Sequence, residues 1–314
     1  MKAIGHHEFG GPEVLEEVEL PDPVPGPGQL RIRVRAAAVN PTDTLRRSGL
    51  RAEEMRGQEK PYVPGMDLAG ILEDIGHGTD TDLSVGEHVM GILFPRGSHG
   101  AYSEQVVLPV ESVTRVPAGV DDVAAATLPM NGLTARMTLD MLELEPGQTI
   151  GVTGAAGTYG GYVVQLAKAE GLRVVADAAE KDRERVKACG ADIIVVRGDD
   201  VAGRFLQAVP GGVDGLADGA VLNEKVIGAV RAGGRLVTMR HYKGDPVNGV
   251  TYHPVRVRPG VGEQAKLDHL RKLIEEGELT LRVAATYPAG EAAEAHRRLE
   301  LGGTRGRLVL TFGD

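Results

Sequence analysis

Between residues 30 and 38 the chain alternates Ile32, Val34 and Ala36 with Arg31, Arg33 and Arg35, the period of a strand buried on one face. The segment before it, Pro21-Asp22-Pro23-Val24-Pro25-Gly26-Pro27-Gly28, carries too many prolines for regular structure. Residues 70–75 and 88–93 are further apolar runs bounded by glycine, so the first third predicts a compact, mostly β domain. A helical pattern starts near Asp121. From about Val123 the rhythm becomes strand and helix in turn, with strands beginning near Thr149, Arg173, Asp192, Val213 and Arg235. The helices predicted over 162–169, 182–188 and 222–232 run into Gly171, Gly190 and Gly233-Gly234, the residue type that a left-handed helix end favours. This alternation predicts a doubly wound parallel sheet. The tail changes texture again: 263–276 places Leu267, Leu270 and Ile274 on one helical face, 291–301 forms another helix and 307–311 a last strand. The tail is expected to return to the N-terminal domain. The overall class is α/β, with a discontinuous domain of residues 1–122 and 260–314 and a parallel-sheet domain of residues 123–259.

Between the strand at 149–153 and the following helix stands Gly154-Ala155-Ala156-Gly157-Thr158-Tyr159-Gly160. Glycines spaced in this way let the backbone turn tightly, approach phosphate oxygens and seat the helix start against the sheet, with its amides and dipole toward the anion. Surface turns also collect glycine. The flanking strand, helix and second strand make dinucleotide binding the stronger reading. Asp177 follows the second strand and lies 20 residues after Gly157, where the simple fingerprint reads an acid on the ribose and hence NADH.

The bulk properties narrow the partners. A chain of 314 residues suits two domains and needs no disulfide or metal staple. A net charge of −9 argues against nucleic acid or an acidic membrane surface, which leaves a small molecule. Cys189 is the only cysteine, so neither an internal disulfide nor a four-cysteine zinc lobe can form. His6-His7 reads as a solvated pair. No run reaches transmembrane length and the N-terminus lacks a signal-peptide core, so the expected location is cytoplasmic.

The order of segments resembles the medium-chain dehydrogenase/reductase superfamily, in its zinc-independent quinone oxidoreductase branch that zeta-crystallin represents. The carriers are Ala37-Ala38-Val39-Asn40-Pro41-Thr42-Asp43, Val63-Pro64-Gly65-Met66-Asp67-Leu68-Ala69-Gly70, Gly86-Glu87-His88-Val89, Leu128-Pro129-Met130-Asn131-Gly132-Leu133-Thr134-Ala135, the glycine turn and Gly303-Thr304-Arg305-Gly306-Arg307. The resemblance implies a GroES-like, mostly β catalytic domain interrupted by a Rossmann domain, with the active site in the cleft between them. Asn40 and Met66 stand where the zinc-dependent branch has a cysteine and a histidine ligand, so no metal is expected. The implied chemistry is hydride transfer from a reduced nicotinamide to a quinone or an α,β-unsaturated carbonyl, the cofactor supplying the chemistry and the protein its geometry.

Asn40 either donates to substrate or nicotinamide or fixes the loop before Pro41, and Asp43 organises that loop through Arg47. Leu45 replaces a tyrosine that many relatives hold over the active site. Tyr62, Asn131, Tyr242 and His241 are candidates to take its place, with Asn131 facing the cofactor and Met130 beside the substrate. Thr134, Thr238 and Met239 join the cofactor contacts. Counting back from Gly190-Ala191, the family's ribose acid falls on Ala178; Lys181, Arg183 and Arg197 then become contacts to a 2′-phosphate, and NADPH is expected over NADH. A β-branched segment at 247–257 implies a homodimer through a sheet edge. Two other readings stand beside this one: alcohol or aldehyde redox chemistry, and a dinucleotide-binding protein without turnover.

Overall fold

A computed structural model describes residues 1–313 and divides the chain into two compact units: Met1–Met130 with Val261–Glu275 and the chain from Leu281 on, and Asn131–Gly260 with Glu276–Thr280. The first unit opens with β1 (Lys2–Gly5) and β2 (Glu16–Glu19), paired antiparallel. It continues through β3 (Gln29–Ala38), α1 (Pro41–Arg47), β4 (Asp67–Ile75), β5 (His88–Ile92), β6 (Gln105–Pro109), β7 (Val113–Arg115) and α2 (Asp122–Ala125). The second unit holds most of α3 (Pro129–Leu142), then β8 (Thr149–Thr153), α4 (Thr158–Ala169), β9 (Arg173–Ala178), α5 (Arg183–Ala188), β10 (Ile193–Val196), α6 (Val201–Ala208), β11 (Val213–Asp218), β12 (Val230–Thr238) and β13 (Thr251–Pro254). The tail adds α7 (Gln264–Glu275), β14 (Val283–Pro288), α8 (Ala292–Glu300) and β15 (Arg307–Thr311) to the first unit. Among the described residues no helix is long and apolar enough to cross a membrane.

In the first unit, β3 alternates as its sequence requires from Leu30 to Val34: Leu30, Ile32 and Val34 are buried among Leu68, Leu72, Val106, Leu108 and Leu310. Each such side chain contributes about 1.5–3 kcal/mol by leaving water. Ala38 pairs with Asp67 of β4 on one side and Val309 of β15 on the other. That register brings the end of β3, the start of β4 and the start of β15 together, which is what assembles the polar cluster described below. The tail pairs here as expected, although α7 buries Leu267, Leu270 and Leu273 rather than Ile274. Leu267, Leu270 and Leu273 follow one i, i+3, i+6 row of the helix, and packing selects that row over the i, i+3, i+7 stripe that ends at Ile274.

The second unit is a six-stranded sheet in the order β10-β9-β8-β11-β12-β13, with every pairing parallel. The order reverses at β8, whose neighbours are β9 and β11, and ligands bind at the carboxyl ends of strands at such a switch point. Helix α4 starts at Thr158 rather than at residue 162, because the glycine turn leads straight into it. The helix expected over 222–232 is shorter. Asn223–Ala229 makes tight 3-10 turns and Val230 already belongs to β12, where it pairs with Val213, so the parallel ladder overrides the local helical pattern. Of the segment 247–257, only Thr251–Pro254 is strand, and Val247 with Val250 closes a turn before it.

Candidate functional site

In the second unit, β8 ends in a turn that only glycine fits. Gly154 has φ +67°, and a Cβ on it would lie 2.9 Å from the carbonyl carbon of Gly219. A Cβ on Gly160 would come within 2.4 Å of the Gly154 carbonyl oxygen and 2.8 Å of Ala155 Cα, so side-chain-free backbone is what seats α4 on the turn. The first intrahelical bond of α4 runs from Gly161 N to the Gly157 carbonyl at 2.9 Å, and the amides of Thr158 and Tyr159 precede it. This is the arrangement that receives an anion at a helix start. Ala155 and Ala156 are buried in the turn, and Thr158 is nearly so. The residues therefore fit a dinucleotide pyrophosphate.

Two carboxylates flank this turn, one from each strand beside β8. Asp177 of β9 is 3% exposed, and its Oδ1 accepts from Gly154 N at 2.6 Å and Ala155 N at 3.4 Å. Burial raises its pKa, against the pull of those two amides and of Arg197. Asp218 of β11 accepts from the Thr153 hydroxyl at 2.6 Å and from Asn223 N at 2.6 Å. Asp177 is thus turned into the glycine turn. Lys181, Arg183 and Arg197 are exposed, and among the described residues none of them has a carboxylate within ion-pair distance.

The face of α3 that carries Asn131, Thr134 and Thr138 meets the same region. The Thr138 hydroxyl donates to the Thr134 carbonyl at 2.9 Å, so the Tyr159 hydroxyl, 2.9 Å away, must be the donor to Thr138. Burial raises the Tyr159 phenol pKa. Asn131 is 6% exposed, and among the described residues its amino group has no hydrogen-bond partner. At the end of β12, the Thr238 hydroxyl donates to the Tyr242 carbonyl at 2.6 Å beside half-buried Met239. Tyr242 is committed elsewhere. Its hydroxyl donates to Glu224 at 2.7 Å, which pushes the phenol up to about 12, and its ring meets Tyr252 edge-on.

The first unit gathers a second, wholly buried constellation around the start of α1. Asn40 and Asp43 are both fully buried. The Asn40 amino group donates to Asp67 Oδ2 at 2.9 Å and to the Ala38 carbonyl at 3.3 Å, while its carbonyl oxygen and that of Val39 accept from Arg307. Asp67 also accepts from Met130 N at 2.6 Å. Of the two readings of Asn40, the geometry matches the fixing of the loop, since its amide hydrogens are already engaged. Asp43 accepts from Asn40 N (2.8 Å), Gly65 N (3.1 Å) and the Tyr102 hydroxyl (3.2 Å). Burial pushes both Asp43 and Asp67 up to about 6, although Arg307 and these donors pull the other way.

Arg47 is tied to Asp43 through His296 and Tyr102. Arg47 bonds Glu300 at 2.6 Å and the Gly10 carbonyl at 3.2 Å, and lies 3.4 Å from His296 Nδ1. His296 Nε2 is 3.2 Å from the Tyr102 hydroxyl. Burial and the neighbouring Arg47 hold His296 down to about 3, hence neutral. With Arg47 donating to Nδ1, the proton sits on Nε2 and points at Tyr102, which frees the phenol proton for Asp43. Tyr102, His296 and the role of Arg307 escape a reading of the sequence, because their partners lie 59, 194 and 267 residues away. Leu45 is half-buried on α1. Tyr62 stacks on Phe9 with ring centroids 5.6 Å apart, and His6, expected to be solvated, is 1% exposed beside both rings.

Among the described residues no three His, Cys, Asp or Glu side chains are grouped to hold a metal ion. The alcohol dehydrogenase GroES-like domain family matches residues 26–118, and the zinc-binding dehydrogenase family matches residues 189–310. A quinone oxidoreductase of Pseudomonas aeruginosa is 32% identical over 98% of this chain and 99% of its own. A 2-haloacrylate reductase of a Burkholderia species is 31% identical over 97% of each. A solved mycobacterial protein complexed with NADPH superposes with a TM-score of 0.84 at 28% identity, covering 99% of this chain and 100% of that one.

Proposed function

Because the chain belongs to the quinone oxidoreductase family of the medium-chain dehydrogenases/reductases, we propose that it is an NADPH-dependent, metal-independent reductase of quinones or α,β-unsaturated carbonyls. The observation that carries the cofactor choice is the contrast around the glycine turn. The acid that would bind a ribose is engaged by the turn's own amides, whereas among the described residues Lys181, Arg183 and Arg197 stand exposed with no carboxylate within ion-pair distance. A 2′-phosphate supplies the charge those cations lack.

A bound reduced nicotinamide supplies the hydride. The protein's part is to hold it by the amides of Thr158 and Tyr159 and to offer a donor to the oxygen on which charge develops. Asn131 is our candidate for that donor, because a buried amino group without a partner is costly unless a ligand completes it. Asn40, Asp43 and Asp67 act instead by fixing the loop before α1. Metal independence is supported by the donor set. Met66 is buried, and the Asn40 oxygen is already held by the cation of Arg307, so neither offers a zinc ligand of ordinary strength. Among the described residues β13 pairs only with β12, and this sheet edge supports a homodimer that continues the sheet.

Stopped-flow oxidation of NADPH and of NADH against a panel of quinones and enones, with a chelator present, tests the whole reading. Fast turnover of NADPH, indifferent to chelator, is the expected result. Binding without turnover on any acceptor would leave only a non-catalytic role, and a chelator-sensitive rate would restore the metal.

A further inference from the structure

Building on the reading of the glycine turn as a cofactor site, we propose that Asp177 is a positioning residue that clamps the turn from beneath, and that it takes no part in binding the ribose. Successive backbone N–H groups in a tight turn form a concavity that attracts an anion. In this chain the concavity formed by Gly154 N and Ala155 N is filled from within, by Asp177 Oδ1 at 2.6 and 3.4 Å. The carboxylate is 3% exposed and lies at the end of β9, next to β8 in the sheet, so it ties the turn to the neighbouring strand. Asp218 makes the matching tie from β11, through the Thr153 hydroxyl. The turn is therefore held on both sides, and the amides left to a pyrophosphate are those further on, at Thr158 and Tyr159. Along a strand, successive side chains alternate between faces, so Ala178 points away from the face on which Asp177 enters the turn.

The clamp and the ribose role predict opposite patterns. The pyrophosphate is common to both nicotinamide cofactors, so loosening the turn weakens both alike, whereas losing a ribose ligand weakens NADH alone. Dissociation constants for NADPH and NADH, from nicotinamide fluorescence titration, are compared for the wild type, Asp177→Ala and Asp177→Asn. We expect Asp177→Ala to weaken both cofactors about tenfold with their ratio unchanged, and Asp177→Asn, which keeps an acceptor oxygen, to return both to within about threefold of wild type. A selective loss of NADH in both variants, or no loss in Asp177→Ala, overturns the proposal. Amide exchange at Gly154 and Ala155 in the cofactor-free protein reads the clamp alone: it should quicken about tenfold in Asp177→Ala and recover in Asp177→Asn. Unchanged exchange overturns the clamp whatever the cofactor does. A wild type that binds neither cofactor, yet shows the exchange pattern, sinks the cofactor reading and leaves the clamp standing. If Asp177→Ala does not fold, Asp177→Ser serves in its place, judged by the same ratio and exchange.

Discussion

Asn40 and Asn131 are buried to nearly the same degree, yet they stand in opposite circumstances. Asn40 engages its amino group with Asp67 and Ala38 and its oxygen with Arg307, all within the first unit, while the amino group of Asn131 in the second unit has no partner among the described residues. The same contrast holds for charge. Arg307 is enclosed with Asp43 and Asp67, whereas Lys181, Arg183 and Arg197 face solvent with no carboxylate within ion-pair distance among the described residues. Burying a donor or a charge costs several kcal/mol unless its bonds are completed, so a region that completes them internally is shaping the chain. The open donor of Asn131 is what the proposed ligand would complete. Chemistry-bearing residue types alone do not tell the two apart, and their partners do.

The contrast breaks most sharply at Arg307. Removing this cation in Arg307→Ala leaves two buried carboxylates facing one another with no compensating charge, and the expected loss is about 3–5 kcal/mol of folding stability, read as a lowered denaturant midpoint. A loss below about 1 kcal/mol would mean that the cluster is not held by charge. The counterpart in the second unit is the combined change of Lys181, Arg183 and Arg197 to alanine. Stability should hardly move, while NADPH affinity falls roughly 10- to 100-fold (about 1.4–2.7 kcal/mol) and NADH affinity stays within a few-fold. Equal losses for both cofactors would show that these cations do not meet a 2′-phosphate.

Asp67 sharpens the comparison through pH. Burial raises its folded pKa to about 6 from the ordinary 3.8, so the folded state holds this proton more tightly than the unfolded chain does. Its favourable contribution is therefore complete below pH 3.8 and is lost as pH rises through about 6. In Asp67→Asn that dependence disappears, and the variant should gain on the wild type between pH 4 and 7. The full shift corresponds to about 3 kcal/mol, reduced to roughly 1–2 because Asp43 titrates with it as a coupled pair beside the fixed charge of Arg307. Parallel stability curves for the two proteins would show that Asp67 is ionised throughout.

Much of the framework is legible in the sequence because it rests on local signals. The alternation along β3, the glycine turn between β8 and α4, and the strand at Arg307–Thr311 all depend on neighbours within a few residues. Where the reading slips, a distant partner has decided: Val230 joins a strand because Val213 lies beside it, and His6 is buried because Phe9 and Tyr62 close over it. The candidate site divides in the same way. Its turn is visible as a motif, whereas the direction of the Asp177 side chain and the commitment of Asn40 depend on contacts that only the register of the sheets creates.

The smallest expected effect tests the longest of these contacts. Tyr102→Phe deletes the phenol that links His296 to Asp43, and removes one of the three donors to a fully buried carboxylate. A hydrogen bond to a charged acceptor is worth about 1.5–3 kcal/mol and one to a neutral acceptor about 0.5–1.5. Since Asp43 titrates near pH 6, the cost should be about 1.5–2 kcal/mol at pH 8, where the carboxylate is ionised, and about 1 kcal/mol at pH 5, where it is mostly protonated. Losing this donor also moves the titration of Asp43 further up. Denaturant unfolding of the variant and the wild type at both pH values reads the difference directly. Equal losses at pH 5 and pH 8 would mean that the phenol proton is not directed at Asp43 and that His296 holds the opposite tautomer.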